Sequence, residues 1–154
     1  SRKRRMGIDD SVNSVPIGAC LARGKAAEML TPGTHGSTFG GNPLVTGVAL
    51  SVLDVFDSES ILENVMKMSQ YFESEFKAKI MDCNSVKELR IKGLMIGIGL
   101  DENIIDCSKL TQKALEDQLL INITGNSIRL LPPLIISKKE IDILIKKILK
   151  LISI

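Results

Sequence analysis

The spacing of apolar residues switches twice along this chain, and that switch limits the folds open to it. Leu44, Val48, Ala49, Val52, Leu53 and Phe56 recur at helical intervals, and so do Ile61, Val65, Met68, Phe72 and Phe76. The spacing then becomes strand-like. Val86–Ile91 and Leu94–Leu100 read as two strands broken at Gly93. Ser108–Gln118 reads as a helix. Leu120–Thr124 and Ser127–Ile136 read as strands joined at Gly125-Asn126, a pair suited to a tight hairpin. Helical spacing returns with Ile141, Leu144, Ile145, Ile148 and Ile152. Ser60 with Glu63, and Ser137 with Glu140, have the spacing of reciprocal helix caps. Long helices mixed with short strands, expected to pair antiparallel, predict an α+β fold with helices packed on a small sheet.

Composition supports one ordinary core and rules out several functions. With 44% hydrophobic residues, 3% aromatic residues and no Trp, the core must be aliphatic. The net charge of +2 owes much to Ser1-Arg-Lys-Arg-Arg5. No aromatic residues interleave with that run, so it reads as a solvated leader and no nucleic acid is expected as partner. Cys20, Cys83 and Cys107 are odd in number and widely spaced, which fits neither a disulfide framework nor a zinc site. That pattern suits a reducing, cytoplasmic setting. There is no apolar run of about eighteen residues, so no membrane span is expected.

The candidate chemistry begins with the loop Thr34-His-Gly-Ser-Thr-Phe-Gly-Gly-Asn-Pro43. Ser37 and Thr38 offer two hydroxyls among small residues, and Asn42-Pro43 opens a helix. Such a loop suits a phosphate. The bland alternative is that the two hydroxyls cap local turns. His35, the only histidine, has no acid or nucleophile at a telling spacing and reads as a loop residue. Asp9 and Asp10 read as solvated carboxylates. Upstream of the loop, Val15–Ala22 looks strand-like and Gly24–Leu30 like a short helix.

Three motifs carry a family resemblance: Val15-Pro-Ile-Gly-Ala19, Thr31-Pro-Gly-Thr-His-Gly-Ser-Thr-Phe-Gly-Gly-Asn-Pro-Leu44, and Ile128-Arg-Leu-Leu-Pro-Pro-Leu134. In this order and at this spacing, the chain from about Asn13 onward resembles the C-terminal part of a class III, pyridoxal-phosphate-dependent aminotransferase. The similarity is strongest to the branch acting on N-acetylornithine, with ornithine aminotransferases near. The resemblance implies the small C-terminal domain of a fold-type I enzyme over residues 43–154. Residues 15–42 would then be a remnant of the large domain with its cofactor-phosphate loop, and residues 1–14 an unmatched leader.

The resemblance also implies roles. Thr38 would bind the phosphate of pyridoxal 5'-phosphate across a dimer interface. Ser37 would contact the same phosphate or the acetylated substrate. Arg129 would bind a substrate carboxylate, as a guanidinium fork can. The alternative for Arg129 is a surface position on an edge strand, since Pro132 and Pro133 follow. The implied reaction moves an amino group between N-acetylornithine and 2-oxoglutarate, in arginine biosynthesis, by a homo-oligomer. The family's Schiff-base lysine, counted back from Pro16, falls on Asp9. A family pattern resembling Lys-Ala-Leu-Gly-Asn-Gly is replaced by Asp9-Asp-Ser-Val-Asn-Ser14, where only Asn13 fits. No catalytic residue is therefore assigned, and the chain alone is expected to be inactive. The alternative is a non-catalytic, self-associating relic of a truncated gene.

Overall fold

The computed structural model describes residues 17, 18, 22–29, 31–33, 36–80 and 83–152. It forms two compact units, Ser1–Glu59 and Ser60–Ile154. Asp9, the rest of the leader, Cys20 and His35 lie outside the described residues. The strand expected over Val15–Ala22 falls largely outside them too, and Ile17, Gly18 and Ala22 carry no regular structure.

The first unit holds α1 (Lys25–Glu28) and α2 (Pro43–Ser58). Asn42 starts α2. Its Oδ1 accepts from the Val45 amide at 3.1 Å, its Nδ2 donates to the Phe39 carbonyl at 2.9 Å, and Pro43 takes the first helical position. The sequence predicts a buried helix here, and the structure corrects that. Only Val45 of α2 is buried, while Leu44 is 75% exposed and Leu53 61%. Among the described residues of this unit cover is scarce: α1, with four residues and none buried, is too small to shield a helix apolar on most sides.

The second unit holds α3 (Ile61–Lys79), β1 (Val86–Lys92), β2 (Met95–Leu100), a 3-10 turn at Cys107–Lys109, α4 (Leu110–Glu116), β3 (Asn122–Thr124), β4 (Ser127–Leu130) and α5 (Lys138–Ile152). The strands form one antiparallel sheet in the order β1-β2-β4-β3. Both hairpins turn on glycines in left-handed backbone, Gly93 at φ 57° and Gly125 at φ 56°. Alternation decides which side chains enter the core. Ile96, Ile98 and Leu100 of β2 and Ile128 and Leu130 of β4 point inward, and all are buried. Phe72 and Phe76 of α3 stack on each other at 5.3 Å and join Ile141, Ile145, Ile148 and Ile152 of α5 in the same core.

Three local expectations are corrected. β4 ends at Leu130 rather than near Ile136, because Pro132 and Pro133 have no N–H to donate to a ladder. β4 is also not an edge strand: it pairs with β2 on one side and β3 on the other, and the prolines lie beyond the paired stretch. Finally, Ser60 does not cap α3 with its side chain. Its backbone is left-handed, at φ 50° and ψ 42°, rather than extended as a serine cap requires.

The second cap forms as expected. The Ser137 amide and hydroxyl donate to Glu140 Oε2 at 2.8 and 2.6 Å, and the Glu140 amide donates to Ser137 Oγ at 3.4 Å. Ser137→Ala is therefore expected to cost about 1 kcal/mol in a denaturant melt at neutral pH. The same bonds, the Ser137 hydroxyl first and its amide second, hold the Glu140 carboxyl below its ordinary pKa. A carboxyl depressed in the folded state stabilises above its unfolded pKa and loses that contribution as pH falls through the folded one. Acidification should narrow the gap between Ser137→Ala and the unaltered chain. A gap that stays constant across that range would rule out this account of the cap.

Candidate functional site

The loop ahead of α2 is built around small residues. The Gly40 amide donates to the Ser37 carbonyl at 3.4 Å, closing a turn. A Cβ on Gly40 would fall 2.9 Å from Ser37 Cβ, so a side chain there would displace Ser37. Ser37 and Thr38 are exposed, and neither hydroxyl has a hydrogen-bond partner among the described residues. The helix end behind them is largely committed. Pro43 has no N–H, Val45 donates to Asn42 Oδ1, and Thr46 donates to the Asn42 carbonyl at 3.0 Å. An anion at this loop would thus be held by the two hydroxyls more than by the helix terminus. Two unengaged hydroxyls fit a phosphate, whose charge strengthens each bond it accepts.

Arg129 lies in the second unit, exposed on β4. The strand register puts it in a row that crosses the whole sheet. Arg90 pairs with Gly97, Gly97 with Arg129, and Arg129 with Asn122. The row lies on the sheet face away from the core. There Arg90, Gly97, Ser127 and Arg129 help line a cavity of about 600 Å³. The Arg90 guanidinium donates from Nη2 to Ser127 Oγ at 3.0 Å, and its Nε lies 3.5 Å from a Glu88 carboxylate oxygen. Arg129 has no ion pair among the described residues. Ser37 and Thr38 belong to one unit and Arg129 to the other.

Arg90 is a residue that sequence reasoning misses. Its nearest polar partner comes from 37 positions away, across an intervening strand. The available signal is the alternation of Glu88, Arg90 and Lys92 opposite the two glycines of Met95–Leu100. Cys107 offers little as a nucleophile. Burial, then Asp106 and Glu102, push its thiol above the ordinary pKa, which disfavours the thiolate. Among the described residues no helix is long and apolar enough to cross a membrane.

The family model for class-III aminotransferases matches residues 12–152. The chain is 40% identical over 142 residues to the acetylornithine aminotransferase of Nitrosomonas europaea, covering 92% of this chain and 35% of that protein. Among solved structures it resembles ornithine delta-aminotransferase of Plasmodium falciparum, with a TM-score of 0.83 and 33% identity, over 91% of this chain and 37% of that one. It also resembles acetylornithine aminotransferase from Elizabethkingia anophelis, with a TM-score of 0.76 and 36% identity, over 88% of this chain and 36% of that one. The chain thus spans 35% to 37% of the length of each of these proteins.

Proposed function

The chain belongs to the class-III aminotransferases, and from that premise we propose that it is the C-terminal portion of an acetylornithine aminotransferase. Residues 43–154 are then the small domain, and residues 15–42 carry the cofactor-phosphate loop. The parent reaction moves an amino group between N-acetylornithine and 2-oxoglutarate in a cytoplasmic homo-oligomer. The observation that carries the reading is the pair of unengaged hydroxyls at Ser37 and Thr38, set just ahead of the Asn42 cap.

When bound, pyridoxal phosphate supplies an electron sink for the substrate's reacting carbon. This chain's part is to bind and orient. Thr38 would hold the cofactor phosphate of a neighbouring subunit through its hydroxyl, and Ser37 would hold the same phosphate or the acetyl group of the substrate. The Arg129 guanidinium clamps a substrate carboxylate through two N–H donors. The lysine that carries the cofactor is not supplied at Asp9, so the 154 residues alone are inactive.

The test is a chimaera joining residues 12–152 to the remainder of the Nitrosomonas europaea protein. It should transaminate N-acetylornithine. Thr38→Ala within it should weaken cofactor affinity by about 1.5–3 kcal/mol, the loss of one hydrogen bond to a charged group. An unchanged cofactor dissociation constant would remove Thr38 from the site. The second reading, a non-catalytic chain that self-associates, is favoured by one observation: Leu44, Leu50 and Leu53 stand exposed along α2. An inactive chimaera that is nevertheless folded would support it.

A further inference from the structure

We propose that Arg90 and Gly97 form, together with Arg129, a single carboxylate-binding trough on the outer face of the sheet. The inference rests on the reading of Arg129 given above and adds two residues to it. Gly97 lies between the two arginines in one cross-strand row, with Arg90 on β1 and Arg129 on β4. Adjacent strands are about 4.8 Å apart, so two guanidinium-bearing residues flank a strip of bare backbone.

The Arg90 side chain lies over that strip. A Cβ on residue 97 would sit 3.6 Å from Arg90 Nε and 3.8 Å from Nη2. From there Nη2 reaches Ser127 Oγ at 3.0 Å, two residues before Arg129 on the same strand and face. Arg90 is thus drawn across β2 toward Arg129, and its charge is not consumed on the way. The Glu88 contact is 3.5 Å long and exposed on both sides, and a guanidinium has five N–H donors. The trough belongs to the cavity of about 600 Å³ on this face, room for a small carboxylic acid. Gly97 leaves room for the Arg90 side chain to cross the strip, and the two arginines together supply the positive charge.

The probe is 2-oxoglutarate, titrated into the full 154-residue chain at low salt and followed through the amide resonances of Gly97 and Gly99. Arg90→Gln and Arg129→Gln should each weaken binding about tenfold or more. Each should also flatten the salt dependence, which a purely structural change would not do. Gly97→Val should abolish binding; a Cβ at this position meets only the Arg90 side chain, at ordinary contact distances, so the fold is expected to accept a side chain here, as an unchanged melting temperature would show. Gly97→Ala, with a smaller side chain, should bind with intermediate strength. Lys67→Gln, on α3 away from this face, should bind as the unaltered chain does.

If Arg129→Gln weakens binding while Arg90→Gln and Gly97→Val leave it intact, the inference fails and the reading of Arg129 stands. If Arg129→Gln binds normally, that reading falls and the three-residue trough with it. An unaltered chain with no saturable shift overturns the trough as a site on this chain.

Discussion

Replacing Phe72 by alanine is expected to destabilise the second unit by about 3–5 kcal/mol. The ring is fully buried, stacks on Phe76 at 5.3 Å, and sits in the core shared by α3, α5 and the sheet. Few other large rings are available to collapse into the gap, because the chain has four Phe, one Tyr and no Trp. Set against a usual total of about 5–15 kcal/mol, such a loss leaves a marginal fold. Urea unfolding should show a much lower midpoint at nearly the same slope. A loss below about 1 kcal/mol would mean that the core repacks freely around the cavity and is not close-packed.

The second large effect concerns activity. The 154-residue chain, mixed with pyridoxal phosphate, N-acetylornithine and 2-oxoglutarate, should form no glutamate above the protein-free rate, and Asp9→Lys should not change that. The substitution restores the nucleophile at the counted position but not its setting. A lysine amine has an unperturbed pKa of about 10.4, so at neutral pH it needs surroundings that lower it. The sequence around Asp9 shows no apolar repeat that would pack and orient a side chain there. Orientation alone accounts for about 7–11 kcal/mol of a barrier. No carboxylate in this chain is assigned to the cofactor's ring nitrogen either. Glutamate well above background from the Asp9→Lys chain would sink the argument and would mean that far more of the active site resides in these residues.

Local patterns were readable where one segment settles its own geometry. The stripe Ile61, Val65, Met68, Phe72 and Phe76 marks α3 because side chains three or four apart share a face, and Gly93 and Gly125 mark turns because they take left-handed backbone. Identical-looking signals failed where tertiary context decides. Ser60-Glu63 and Ser137-Glu140 read alike, yet only Ser137 caps, since Ser60 is left-handed. Pro132 and Pro133 suggested an edge strand, but pairing stops before them and β4 is internal. Alternation shows which face of β2 is apolar and says nothing of its neighbour, so the order β1-β2-β4-β3 was not legible. The site divides the same way. Ser37 and Thr38 stand in a contiguous motif that reads directly. The row Arg90–Gly97–Arg129 exists only once the register of three strands is known.

The two rims of the sheet bear on how copies of this chain can meet. β3 is only three residues long. β1 carries Lys87, Glu88, Arg90 and Lys92, and its register shifts between Val86 and Glu88. Short length, charge and a bulge are the devices that stop a rim from templating a further strand. Growth by backbone pairing is thereby disfavoured at both ends of the sheet. An assembly built instead on side chains, such as the exposed leucines of α2, would rest on contacts that dilution or mild detergent reverses rather than on cross-β fibrils that seed their own extension.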